Sequence, residues 1–252
     1  MQHLYSHTVG KGRPLVLLHG WGMNSRVWGP VLSELEKLAR VTCIDLPGHG
    51  NNSHLPLGLL ETAIDQLAGH IPQDAIMMGW SLGGLIAQGL AHALPDKVAG
   101  LAMIASTPKF VAEGGWQHGV SPELLATFGN NLQVDYMGTV RRFFALQFLN
   151  TKTDSRMVNV LRETIMEQPA SISALEDGLN ILRTADFSQM PVKQPSLWML
   201  GKLDKLIPVS LADALPGMGY GHIALINSAA HVPFVTHPAI FMGHVGAFLK
   251  TF

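Results

Sequence analysis

Gly79-Trp80-Ser81-Leu82-Gly83, followed by Gly84, lies between an apolar run at 75–79 and a helical pattern at 82–93, and its reading decides the fold. Strand, turn and helix in immediate succession around G-x-S-x-G form the arrangement of a nucleophile elbow. Glycines flank the serine because such a turn is strained and neighbouring backbone comes close. The hydroxyl is thereby presented at a helix N-terminus, where developing negative charge is favoured. A competing reading makes 75–94 a membrane span, since it carries no Asp, Glu, Lys or Arg and about 18 apolar residues can cross a bilayer. Ser81, Gln88, His92 and the glycines Gly79, Gly83, Gly84 and Gly89 argue instead for a buried strand turning into a buried helix.

Outward from the elbow, short runs rich in apolar residues at 14–18, 41–45, 75–79, 98–104, 195–200 and 222–226 read as buried strands, and where a run is continuously apolar it indicates cover on both faces. Helical patterns at 27–39, 57–69, 82–93, 209–215 and 239–250 alternate with them, which predicts a doubly wound, mostly parallel sheet. The alternation breaks between Thr107 and Pro191. There helical patterns at 122–130, 136–149, 154–167 and 171–182 follow one another without a strand, the signature of an inserted all-helical lid. The expected organisation is a core domain of residues 1–107 and 191–252 with a lid insertion at 108–190.

At 252 residues and 47% hydrophobic content, the chain can bury one core with an insertion. A net charge of -1 with 14% charged residues leaves no overall field to recruit nucleic acid or a membrane surface. The single cysteine, Cys43, sits in Val41-Thr42-Cys43-Ile44 and reads as a buried thiol, so no internal disulfide forms. The opening Met1-Gln2-His3-Leu4-Tyr5-Ser6-His7 lacks the features of a secretory signal, and a cytoplasmic location is expected. No H-E-x-x-H or similar spacing occurs, so neither a metal nor a cofactor is expected.

A serine hydroxyl needs a positioned base. Of 12 histidines, His231 fits best, because it follows the run at 222–226 in the loop Ser228-Ala229-Ala230-His231-Val232-Pro233, and the elbow's partners follow it in the order Ser, Asp, His. His222 and His49 are rivals. Asp204 fits the acid: 197–200 reads as a strand and Gly201-Lys202-Leu203-Asp204 as the loop leaving it, placing a carboxylate to orient the imidazole. Asp186 and Asp177 sit in or beside the lid pattern, and Asp45, before the turn Pro47-Gly48, reads as a loop brace. Oxyanion donors are expected from Trp21, in His19-Gly20-Trp21-Gly22 after the run at 14–18, and from Leu82, the residue after the nucleophile.

In the lid, Val140, Phe143, Phe144 and Gln147 share one face at ~100° per residue, with Leu146 and Leu149 roughly opposite. Gln147 among aromatics is a candidate polar contact for a ligand, with a structural amide as the alternative. Between Thr139 and Arg162, five bases (Arg141, Arg142, Lys152, Arg156, Arg162) face one acid, Asp154, a local charge of +4. Arg141, Arg142, Arg156 and Arg162 are the candidate docking cations for an acidic partner.

The chain resembles, essentially end to end, the bacterial carboxylesterases of biotin synthesis, the pimeloyl-acyl carrier protein methyl ester esterases of the α/β-hydrolase fold. The resemblance is carried by Leu17-Leu18-His19-Gly20-Trp21-Gly22, Asp45-Leu46-Pro47-Gly48, Gly79-Trp80-Ser81-Leu82-Gly83-Gly84, Arg142-Phe143 with Ala145-Leu146-Gln147, and Ala229-Ala230-His231 with Pro233-Phe234. It implies a monomeric serine esterase that releases methanol from a pimeloyl methyl ester held on acyl carrier protein. It also implies substrate contacts at Trp21, Ser81, Leu82, Phe143, Phe144, Ala145, Leu146, Gln147 and His231. The sequence departs from the family at Asn51-Asn52 and in the lid's charge positions, which bears on carrier docking. Other readings are a general short-chain carboxylesterase, a carbon-carbon bond hydrolase of the same fold, or a noncatalytic acyl-binding protein, the last expected to lose a catalytic element.

Overall fold

The computed structural model describes residues 4–252, so Met1, Gln2 and His3 of the opening segment lie outside the described residues. Seven strands form one sheet: β1 Ser6–Val9, β2 Pro14–Leu18, β3 Arg40–Ile44, β4 Ala75–Trp80, β5 Val98–Ile104, β6 Ser196–Gly201 and β7 His222–Ile226. Their order is β1-β3-β2-β4-β5-β6-β7, parallel throughout except for β1 against β3. β2 and β4 are apolar and almost wholly buried because helices cover both faces of the sheet centre. β1 corresponds to no predicted strand. It is four residues, polar and mostly exposed, so neither alternation nor an apolar run marks it; pairing with β3 and the Thr8–Thr42 hydroxyl contact at 3.0 Å hold it.

Ten α-helices accompany the strands among the described residues. In the layers beside the sheet lie α1 Gly29–Leu35, α2 Leu60–Ala68 and α3 Leu82–Ala93. Between β5 and β6 the chain forms α4 Pro122–Val134, α5 Tyr136–Leu146, α6 Ser155–Met166 and α7 Ile172–Thr184, with no named strand among them. Then come the short α8 Leu211–Ala214 and α9 Pro233–Thr236, and α10 Pro238–Leu249. The helical pattern at 27–39 contracts to α1, since Pro30 starts a new helix after the 3-10 turn Ser25–Trp28. The pattern at 209–215 contracts to one turn, because Pro216 cannot continue it. The uncharged stretch at 75–94 is divided between β4 and α3, and among the described residues no helix is long and apolar enough to cross a membrane.

The sheet positions the site through its order. β3 and β4 lie on opposite sides of β2, so the connections reverse direction there and leave a crevice beyond the carboxyl ends of β2 and β4. Leu18 pairs with Gly79, so the residues beyond this pair, His19-Gly20-Trp21 and Trp80-Ser81, emerge side by side. At the other end, Gly201 pairs with Ile226, which brings the loops after β6 and β7 together. The two ends of the segment between β5 and β6 are joined by a Lys109–Asp186 bridge, with a salt bridge of 2.9 Å between their side chains.

Candidate active site

Ser81 stands at the N-cap of α3 with φ +55° and ψ −119°. For a residue with a side chain this is a strained backbone, tolerated only where neighbours enforce it. Three hydrogen bonds do so: Ser81 N–H to the Ile104 carbonyl (3.0 Å), Gly84 N–H to the Ser81 carbonyl (2.9 Å), and the Ser106 hydroxyl to that same carbonyl (2.8 Å). The glycines serve a different need. A Cβ at Gly79 would run into the Gly83 carbonyl and Gly84 Cα, and one at Gly83 into the Leu18 and His19 carbonyls. Strain therefore resides in the serine, and the glycines permit backbone to touch backbone.

The loops after β6 and β7 bring Asp204 and His231 together. Leu203 N–H bonds the Ala229 carbonyl at 2.9 Å, and a Cβ on Gly201 would meet the Ala229 and Ala230 carbonyls, so the loops are in contact along their length. Asp204 Oδ1 accepts from the backbone N–H of Leu206 (2.7 Å) and Ile207 (3.1 Å). This leaves Oδ2 to accept from His231 Nδ1 at 2.8 Å, with both side chains buried. A carboxylate acceptor requires the proton on Nδ1, which makes Nε2 of the neutral ring a base. His231 Nε2 is buried and bonds to no described residue.

The remaining candidates for these roles have other partners. Asp177 Oδ2 accepts from Gly58 N–H at 2.8 Å, and Asp186 pairs with Lys109 and Ser188. His222 is exposed on β7. His49 is fully buried, with Nδ1–H donated to the Pro47 carbonyl at 2.9 Å, and burial pushes its pKa down to about 3.

Trp21 and Leu82 flank the serine from two chains of backbone. Leu82 is the first residue of α3, so its N–H has no partner within the helix. Trp21 lies in a turn closed by Met23 N–H to the Gly20 carbonyl at 3.2 Å. His19 fixes that turn: Nε2 accepts from Leu46 N–H and Nδ1–H donates to the Gly20 carbonyl, both at 2.9 Å. Only the neutral imidazole can make both bonds, and burial lowers its pKa accordingly. Burial alone would raise the Asp45 pKa, and a charged His19 would oppose that by its charge, yet the pKa lies below the ordinary value. With His19 neutral, the hydrogen bonds carry this effect: Ser25 N–H at 2.7 Å, and Asn51 N–H and Nδ2–H at 2.9 Å each. Asp45 thus braces the loop, and the unusual Asn51 is one of its partners. Asn52 ties the same loop to Tyr5.

The helices between β5 and β6 cover this crevice. Trp21 Nε1–H donates to the Leu175 carbonyl on α7 at 2.8 Å, and its ring meets Phe143 edge-on at 4.7 Å. Gly178 of α7 lies against both oxyanion candidates, for a Cβ there would come within 2.7 Å of Trp21 Cδ1 and 3.3 Å of Leu82 Cδ2. Val140, Phe143, Phe144 and Gln147 are all buried, Leu146 is half-buried, and Ala145 and Leu149 are exposed, so the five residues 143–147 do not face one way. Gln147 accepts the His231 backbone N–H on its carbonyl at 3.2 Å, while its side-chain amide is 1% exposed with neither polar atom bonded to a described residue. Ser81 itself is 2% exposed. Leu175, Gly178 and Phe128, which meets Trp21 and Phe143, carried no sequence signal, because each owes its importance to Trp21, more than a hundred positions away.

The four arginines are not equivalent. Arg141 and Arg156 are exposed, and Arg162 is half-buried. Arg142 pairs with Asp135 at 3.1 Å and donates to Thr139 Oγ1, so a carboxylate outside the 139–162 stretch already neutralises it.

The sequence profile of the alpha/beta hydrolase family matches residues 15–243, most of the chain and all of the crevice just described. The chain belongs to the alpha/beta hydrolase family. A curated member, the pimeloyl-acyl carrier protein methyl ester esterase of Salmonella newport (strain SL254), is 39% identical over 246 residues, covering 96% of both chains. The protein of that name from Pectobacterium carotovorum subsp. carotovorum (strain PC1) is 38% identical over 99% of this chain and 100% of its own. Among solved structures, an esterase from Exiguobacterium antarcticum superposes with a TM-score of 0.88 at 18% identity, covering 98% of this chain and 95% of that one. A likeness at that identity concerns the fold, and function must be argued from the site.

Proposed function

We propose that this chain is a serine carboxylesterase that hydrolyses the methyl ester of a pimeloyl chain carried on acyl carrier protein, with Ser81, His231 and Asp204 as catalytic triad. The observation that carries the substrate assignment is the kinship with esterases named for it, which spans 96% of the chain and so includes the helices between β5 and β6 that cover the crevice. The site supports the chemistry. Ser81 Oγ attacks the ester carbonyl carbon while His231 Nε2 takes its proton, and Asp204 stabilises the imidazolium. The oxyanion draws hydrogen bonds from the Trp21 and Leu82 N–H groups. Collapse breaks the acyl–methoxy bond as His231 returns the proton to the leaving oxygen, giving methanol. Water then attacks the acyl-enzyme with His231 taking its proton. The second collapse breaks the acyl–Ser81 bond, returns that proton to Ser81 Oγ and releases the carboxylic acid.

In this reading the segment at 108–190 is a lid on a core of residues 1–107 and 191–252. The near-complete burial of Ser81 beneath it supports that role. Trp21, Phe143 and Phe144 supply apolar contact for the acyl chain, and the unpartnered Gln147 amide supplies a polar one. The acidic carrier docks against the exposed Arg141 and Arg156 and the half-buried Arg162. The test is mass spectrometry of carrier-linked pimeloyl methyl ester after incubation with the protein. A loss of one methyl group with the thioester intact supports the reading; thioester cleavage, or no change, overturns it.

A further inference from the structure

The residue between Gly79 and Ser81 is Trp80, wholly buried at the end of β4. The elbow pattern leaves that position free. Here its indole touches two other segments of the site. Nε1–H donates to the His231 carbonyl at 2.8 Å in a buried bond. The ring lies 5.7 Å from the His231 imidazole, inclined by 50°, and meets Phe234 edge-on at 5.2 Å. On its other side, a Cβ added to Gly20 would come within 3.0 Å of Trp80 Cε3 and 3.3 Å of Ser81 Cβ, so the turn carrying Trp21 rests on the same ring.

We infer that Trp80 is a positioning residue for His231, an inference that rests on His231 being the base. Asp204 anchors the imidazole at Nδ1, but one anchor lets the ring pivot unless its Cα end is also fixed. That end is held by two backbone bonds, the Trp80 indole to the His231 carbonyl and the His231 N–H to the Gln147 carbonyl. The first comes from the residue preceding the nucleophile, so the backbone that carries Ser81 also carries the donor that holds the His231 main chain. A general base works only within hydrogen-bond reach of its proton, and a misplacement of about 1 Å can cost ~10²-fold in rate. If Trp80 merely filled space, a ring of equal shape without the N–H would do as well.

The experiment replaces Trp80 in the full chain by benzothienylalanine, which keeps the ring shape and lacks the donor, alongside Trp80→Phe. Turnover of a small p-nitrophenyl ester, fluorophosphonate labelling of Ser81 and thermal melting are measured on each. The expected result for the isostere is kcat down about tenfold, KM within about twofold, labelling slowed by the same factor, and Tm within a few degrees of wild type. Unchanged kcat in the isostere, a loss confined to KM, or a loss matched by the fraction of unfolded protein overturns the inference. His231→Ala separates the two failures: if it stays active, the base assignment is wrong, whereas if it is inactive and the isostere is normal, only the role of Trp80 is wrong.

Discussion

The two sides of the crevice around Ser81 are held together by different means. On the sheet side, backbone meets backbone: Gly79 against Gly83 and Gly84, Gly83 against Leu18 and His19, and Gly201 against Ala229 and Ala230, each at a spacing that admits no Cβ. On the helical side the ties are mostly single hydrogen bonds, Trp21 to Leu175, Asn24 to Ile165 and Gln168, Gly58 to Asp177, Ser171 to Gly48 and His231 to Gln147. Those helices are closed by their own caps, with Asp135, Asp154 and Ser171 accepting from the first turns of α5, α6 and α7. Contact that leaves no room for a Cβ fixes neighbouring backbone closely, while single hydrogen bonds constrain the helices between β5 and β6 less.

The comparison is tested most severely at the reacting groups. Ser81→Ala and His231→Ala should each lower kcat by ~10⁴-fold or more, and Asp204→Ala by ~10³-fold or more, on carrier-linked and small esters alike. Near-normal turnover of Asp204→Ala would remove it as the acid. Next in size is a pair of glycine substitutions, one on each side. Gly83→Ala should destabilise the protein by about 3 kcal/mol in urea unfolding, since the added methyl overpacks two carbonyls. Gly129→Ala on α4, whose Cβ would sit 3.7 Å from Leu179 Cδ1, should stabilise by up to ~1 kcal/mol. Equal effects at the two positions would erase the contrast.

His49, buried with its ring 5.1 Å from that of His19, makes the sheet side sensitive to acid. His49 titrates at about 3 in the fold against an ordinary 6.5. Between those values the unfolded chain binds the extra proton, so the stability this residue contributes is complete above 6.5 and falls as pH drops towards 3. From pH 7 to 5 the loss due to His49 should be about 2 kcal/mol, or ~4–8 °C in Tm. In His49→Gln that part of the fall should vanish; an undiminished fall would place the acid sensitivity elsewhere.

On the helical side, Gln147→Met should raise stability by about 1 kcal/mol while lowering kcat/KM for the carrier-linked ester, because a buried amide with no partner among the described residues costs folding energy. A loss of stability would show that the amide is satisfied within the fold. The smallest effect is expected at the exposed cations. Arg141→Glu with Arg156→Glu should reduce kcat/KM for the carrier-linked ester several-fold, more at low salt, and leave a small neutral ester unaffected. Arg142 is a poorer probe, since a glutamate there would face Asp135 and disturb the cap of α5.

The sequence by itself determined what neighbouring residues can encode. The elbow glycines, the apolar runs of six strands and the alternation that breaks after Thr107 are local patterns, and each appears in the structure within a few residues of its expected place. Placing Asp204 and His231 after strands was enough to propose them as partners, because parallel strands deliver their following loops to one edge. Tertiary structure alone decided the rest. β1 exists through pairing with β3; Trp80 reaches His231 across 151 positions; Trp21 lies beneath Leu175, 154 positions on; and Arg142 is neutralised by an acid outside its own basic stretch. These contacts leave no local trace, since each residue type is ordinary for its own element and acquires a role only from what folding sets opposite it.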